Sequence, residues 1–258
     1  MIEGSGEMAT EEKMEFFDKI FDLYNNLQKE EKFTNSKEAV MHLIYHLSLK
    51  YQRSLKTMQI IMDSKEIKNS YLETLPLLRI QLETFFHIAY ITKHDDPTIC
   101  VDEYENLQKL QLKRVALNFK RLDNKKPKIL HNDEKQFMDL HKNNRLSMDI
   151  EHLDKLWRLA EAADKYEEYV RIYSLLSSYV HYNPSTRESY GNNTGDKIIY
   201  NQFIYNEQEE NIILQYSIGI ALSAIKCISK YLDAKEIQEK TYTVFKEWAN
   251  VFRKKAKA

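Results

Sequence analysis

Five glycines and four prolines in 258 residues leave this chain few places to reverse direction tightly. A sandwich or barrel of many short strands draws on Gly-, Asn-Gly- and Pro-led turns, so it is hard to build here. The long stretches between breakers instead repeat apolar residues at three- and four-residue intervals, which is the helical period. Apolar residues make up 43% and charged residues 30%, as in an ordinary globular protein. The expected fold class is all-α, an antiparallel bundle of about eight or nine helices. One short β-hairpin is expected at most, in the 183–206 loop, between Ile198-Ile199-Tyr200 and Phe203-Ile204-Tyr205. A single helical domain is expected over 1–258, its bundle core at about 36–232, with helices 11–28 and 235–255 packed on it.

The breakers set the expected helices. Thr10 precedes Glu11 and Glu12 as an N-cap, and Ser36 precedes a stripe of Val40, Ile44, Leu47, Tyr51, Leu55, Met58 and Met62. A third helix spans 71–93, where Pro76 marks either a kink or the true first turn. Asp96-Pro97 opens a fourth, because proline at the first helical position loses nothing by lacking its N–H. Further helices are expected at 133–142, 149–162, 165–182, 207–232 and 235–255, with Gly219 permitting close packing and Val244, Phe245, Trp248 and Phe252 facing inward.

Charge and composition exclude several classes. Lys and Arg number 38 against 39 Asp and Glu, a formal net charge of −1. Wholesale coating of nucleic acid, which needs a positive field, is therefore not expected, although a local basic patch is compatible. Cys100 and Cys227 form no CxxC pair and read as buried thiols. The most apolar segment, 212–228, is interrupted by Gln215, Ser217, Ser223 and Lys226, so no membrane span is expected, and the expected location is the cytoplasm. No Walker loop, dinucleotide fingerprint or zinc knuckle occurs, so no cofactor is expected.

The helix at 71–93 carries the most informative pattern. It is apolar on nearly all sides, yet Arg79, Glu83 and His87 stand four apart on one face, with Tyr90 beside them. Burying unpaired charge costs several kcal/mol or more, so these groups are paired, hydrated in a cleft, or form the exposed edge of an amphipathic helix. The helix at 165–182 lines Tyr173, Ser177 and His181 along one face at i, i+4 and i+8. Ser177 and His181 lack the strained elbow, Gly-rich oxyanion turn and orienting acid of a serine hydrolase. Hydroxyls and an imidazole in a row can nonetheless hold a polar ligand.

Leu78-Arg79-x-x-x-Glu83 followed by Leu176-Ser177-x-x-x-His181, with an acidic helix from Asp96 to Tyr104 between them, resembles an uncharacterised bacterial all-helical family. That family looks like the HEPN group of helical bundles, many of which are RNA-cleaving toxins or phage-defence proteins. The resemblance covers roughly 70–185 and implies an RNA-directed or nucleotide-responsive module. It implies that Arg79, Glu83 and His181 are the catalytic set, Arg79 stabilising phosphorane charge, Glu83 orienting it and His181 serving as acid or base. Tyr173, Ser177 and His87 are the ligand-binding candidates. The group's own Arg and His stand four to six residues apart, whereas Arg171 and His181 have nine residues between them. Arg145-x6-His152 meets that spacing, but in a polar stretch where the match reads as chance.

Competing readings rest on other residues. A non-catalytic homo-oligomeric interaction module would use the same cluster as a structural network, and its many tyrosines, 17 in all, as interface. His42 and His46 form HxxxH, which can share a metal only with a third ligand that the sequence does not supply. Arg253 to Lys257 is a basic helix end.

Overall fold

The computed structural model describes residues 6–64, 71–180, 184, 186, 191–193, 195–200 and 207–255. The described chain is dominated by helices: α1 (Gly6–Lys29), α2 (Glu31–Thr34), α3 (Ala39–Met62), α4 (Leu75–Lys93), α5 (Pro97–Lys125) and α6 (Asn132–His141), then α7 (Glu151–Asp154), α8 (Leu156–Ala162), α9 (Tyr166–Glu168), α10 (Ser174–Val180), α11 (Glu207–Tyr231) and α12 (Lys235–Lys255). Two three-residue strands, β1 (Gly191–Asn193) and β2 (Ile198–Tyr200), pair antiparallel. The sequence reading paired 198–200 with 203–205 instead, and the latter lie outside the described residues.

Local chemistry sets the helix starts. Asp96 Oδ1 accepts from the backbone N–H of Thr98 at 2.8 Å and of Ile99 at 3.2 Å, capping α5 with Pro97 at its first position. Pro76 sits in the first turn of α4, after a 3₁₀ turn at Leu72–Thr74, so it begins the helix rather than kinking it. Thr10 lies inside α1, which starts four residues earlier at Gly6. Ser36 is not the cap of α3 either: its hydroxyl accepts from the Glu38 N–H, and the helix begins at Ala39.

Two expected helices are broken. Lys155 takes an extended conformation and divides 149–162 into α7 and α8. The helix expected over 165–182 opens into a π-helical turn at Tyr169–Tyr173, between α9 and α10.

The core is centred on α4, which packs on α3, α11, α10 and α8. Leu78, Leu82, Phe85, Phe86 and Ile88 are all at least 98% buried. Each such side chain contributes about 1.5–3 kcal/mol of burial free energy. A buried polar trio ties the centre together. Ser217 Oγ on α11 donates to Gln81 Oε1 on α4 at 3.0 Å, and Tyr51 on α3 donates to the Ser217 carbonyl at 3.5 Å. Outside this, α1 and α12 join through an edge-on Phe16–Trp248 contact at 5.2 Å.

The segment 209–231 is, by length and composition alone, long and apolar enough to cross a membrane, and 61% of its most apolar window is buried inside the protein. Here α11 spends that apolarity inside the protein, against α4, α1 and α12. Gly219 is not required for close packing, because a Cβ there would meet Trp248 Nε1 at an ordinary 3.9 Å. Trp248 faces inward, but Phe245, about 60° from it around the helix, is 47% exposed, and the Phe252 side chain lies outside the description.

Candidate functional site

The polar stripe of α4 is longer than the sequence reading drew it. Arg79, Glu83, His87, Tyr90 and His94 all fall within about 80° of one another around the helix, at ~100° per residue. The upstream groups meet the π-helical turn and the downstream ones meet α5 and α7, so the stripe is a seam rather than one pocket.

At the upstream end α4 meets the π-helical turn. Arg79 Nε donates to Glu83 Oε1 at 3.1 Å, and its terminal nitrogen donates to the Tyr173 hydroxyl at 2.5 Å. The guanidinium carbon also lies 4.8 Å from the Tyr173 ring centroid. The side chains of Arg79 and Glu83 keep 19% and 33% of their exposure, so the pair is neither sealed nor free in water. Burial, then the Glu83 carboxylate, push the Tyr173 hydroxyl above its ordinary pKa, with Arg79 pulling the other way. Tyr173 is the inner end of a ladder. Its ring stacks on Tyr169 at 5.1 Å, and Tyr169 stacks on Tyr166 at 6.0 Å. Tyr166 is half exposed, as are Val170 and Leu175 on the same segment. A π-helical turn is rare and often marks a functional site.

The middle of the seam belongs to α5. His87 Nδ1 lies 2.8 Å from the Tyr104 hydroxyl, an arrangement satisfied when Tyr104 donates to a neutral imidazole. Burial, assisted by the Lys50 charge, lowers the His87 pKa to about 4. His87, a ligand-binding candidate in the sequence, is thus held by Tyr104 as a neutral packing partner of α5.

The downstream end was missed. Glu103 on α5, 7% exposed, is the hub. It accepts from the Tyr90 hydroxyl at 2.6 Å, faces His152 Nε2 on α7 at 3.2 Å and His94 Nε2 at 3.6 Å. His94 Nδ1 accepts from the Asp96 N–H at 3.1 Å, so in the neutral ring the proton sits on Nε2, toward Glu103. Tyr90 is pushed well above its ordinary pKa, by burial first and then by Glu103. The same carboxylate assists burial in raising the Cys100 thiol to about 12. The sequence signal existed, since Tyr90 and His94, three and seven residues after His87, continue the same helical face as Arg79, Glu83 and His87. The His152 of the Arg145-x6-His152 match, read as chance, is one of the groups.

Of the remaining candidates, Ser177 is half-buried and has no hydrogen-bond partner among the described residues. His181 lies outside the described residues. His42 and His46 are exposed, and no group of three or more His, Cys, Asp or Glu is arranged for a metal among the described residues. His94 illustrates why: with Nδ1 turned to a backbone donor, Nε2 carries the proton and offers no lone pair. The described cavities of 440–540 Å³ open elsewhere, none lined by Arg79, Tyr173 or Glu103.

A family model, a family of unknown function termed DUF5677, matches residues 41–198, more than half of the chain. The chain belongs to DUF5677. Comparison with curated proteins and with solved structures finds no match. The DUF5677 segment contains the whole of the α4 seam and its partners Glu103, Tyr104, His152 and Tyr173. It leaves α1, α11 and α12, which supply one side of the core, outside the match.

Proposed function

We propose that this DUF5677 chain is an RNA-directed module with an HEPN-like antiparallel bundle, and that the tyrosine ladder capped by Arg79 receives unpaired bases. The observation that carries this reading is the stack of Tyr166, Tyr169 and Tyr173 ending on a guanidinium, with its outer ring half exposed. Stacking on aromatic faces is the main sequence-tolerant way to hold single-stranded nucleic acid, worth about 1–3 kcal/mol per base. Glu83 holds Arg79 in place while its charge stands next to the base-stacking surface. In the catalytic form of the reading, His181 supplies acid–base chemistry to an attacking 2′-hydroxyl, and Arg79 meets the developing phosphorane charge.

The test is fluorescence anisotropy with an unstructured, labelled RNA. Tyr166→Ala is expected to weaken binding roughly five- to a hundred-fold without changing the urea midpoint, from the stacking value above. Equal affinity of the variant and the parent overturns the ladder as the binding surface. Absence of RNA binding by the parent overturns the reading. RNA cleavage that survives His181→Ala removes the catalytic form.

A second reading has its own observation. Tyr166, Val170 and Leu175 are all half exposed on the segment from α9 to α10, which is apolar and tyrosine-rich in the manner of subunit contacts. In that reading the chain is a non-catalytic homo-oligomer and Arg79–Tyr173 only holds α4 and α10 in register. It requires Leu175→Asp to convert an oligomer into a monomer in sedimentation velocity.

A further inference from the structure

The charge of the chain is unevenly placed. Residues 109–128 hold eight of the 38 basic residues and one acid, Asp123, leaving 30 basic against 38 acidic residues elsewhere. This stretch is the distal half of α5 and the turn that leads into α6. Helix α6 covers one side of it, with Phe119 edge-on to Phe137 at 6.0 Å and Ala116 fully buried. At ~100° per residue, Arg121 and Lys125 lie opposite that covered side, while Lys109, Lys113 and Lys120 form a row along its flank. Together with Arg114 they occupy an arc of about 160° that contains no acidic residue. Of these six basic residues, among the described contacts Arg114 alone is in an ion pair, with Asp154 at 2.5 Å. Lys120, Arg121 and Lys125 are exposed.

Cations that the fold leaves without acidic partners keep a strong local field in a chain of net charge −1. From Lys109 to Lys125 the helix runs about 24 Å. That length follows several successive phosphates, which stand about 3.4 Å apart per strand along a duplex axis and further apart in an extended strand. An anionic bilayer fits less well. The exposed apolar residues Val115 and Leu122 point about 140–160° away from Leu117, so the arm has no single apolar face to bury in lipid.

We propose that the basic face of distal α5 is the track along which this chain binds the phosphate backbone of single-stranded RNA. The proposal rests on the RNA-directed reading above and adds a second surface to it, one that supplies salt-dependent affinity while the tyrosine ladder takes the bases.

The experiment measures anisotropy of a labelled, unstructured uridine-rich RNA between about 50 and 200 mM salt. It uses the full chain and a variant with Lys113→Glu, Lys120→Glu, Arg121→Glu and Lys125→Glu. The charge-reversed chain is expected to lose at least tenfold in affinity at the low-salt end. Its slope of log affinity on log salt is expected to be shallower by about two to three, at roughly 0.7 per phosphate for single strands. Should four reversals disturb folding, the same four positions changed to Gln carry the test, with a smaller loss and the same change of slope. Unchanged affinity and slope overturn the track. If the track variant binds normally while Tyr166→Ala does not, the ladder stands and the track fails. If the track variant loses binding while Tyr166→Ala does not, the track stands and the ladder fails. A parent chain that ignores RNA and binds vesicles of phosphatidylserine and phosphatidylcholine overturns both.

Discussion

Acidification below pH 6.5 is expected to destabilise the protein through His87. In the unfolded chain this imidazole titrates at its ordinary 6.5; in the fold its pKa is about 4, mainly because burial disfavours the charged ring and secondly because Lys50 repels it. Below 6.5 the unfolded state therefore binds more protons than the folded one, and stability falls as pH falls. The contribution is whole above pH 6.5, declines through the window between 6.5 and about 4, and changes no further below it. At about 1.4 kcal/mol per pH unit, the loss is about 2 kcal/mol at pH 5 and about 3 kcal/mol once the window is passed. The assay is urea unfolding of the parent and of His87→Gln at pH 7, 6 and 5, since glutamine can accept from Tyr104 without titrating. The carboxylates titrate alike in both, so the difference between the two stabilities isolates His87. That difference is expected to shift by about 2 kcal/mol in favour of the variant between pH 7 and pH 5. Parallel curves, agreeing within about 0.5 kcal/mol across the range, would refute the burial of a neutral imidazole against α5.

Three further outcomes follow from the seam. Tyr173→Phe keeps the ring stack but removes the hydroxyl that Arg79 holds at 2.5 Å, and is expected to cost about 1–2 kcal/mol in thermal or urea unfolding. Glu103→Leu leaves the Tyr90 hydroxyl and the His94 and His152 rings without their common acceptor, and is expected to cost about 3–5 kcal/mol, with Glu103→Gln recovering part of it. Cys100, fully buried with its thiol pushed up to about 12, is expected to escape a thiol reagent at pH 8 in the native protein and to react on unfolding, as read by intact mass.

What could be read from the sequence depended on how far the deciding contact lay along the chain. The start of α5 was legible because Asp96 and Pro97 act within one turn, and the enclosed character of α4 was legible because it is apolar on nearly all sides. The break at Lys155 and the π-helical turn at Tyr169–Tyr173 carry no Gly or Pro signal. They arise where the surrounding packing overrides a helical period. The pairing of Arg79 with Glu83 is local and was legible from their spacing; its meeting with Tyr173 is long-range and was expected only from the family resemblance. The Glu103 hub escaped because it requires α5 and α7 to lie against the end of α4, a long-range arrangement that residue spacing does not encode. His152 stood at the entry of the expected 149–162 helix, next to a polar stretch, and became informative only when α7 carried it to a buried carboxylate.

The central claim is that the outer rings of the ladder are where RNA bases sit. Photocrosslinking of the full chain to an RNA carrying 4-thiouridine, with the adducts mapped by mass spectrometry, measures this at residue level. The account predicts adducts on the peptide holding Tyr166 and Tyr169, lost when both are changed to Leu. Adducts confined to other parts of the chain, and indifferent to those changes, would contradict it.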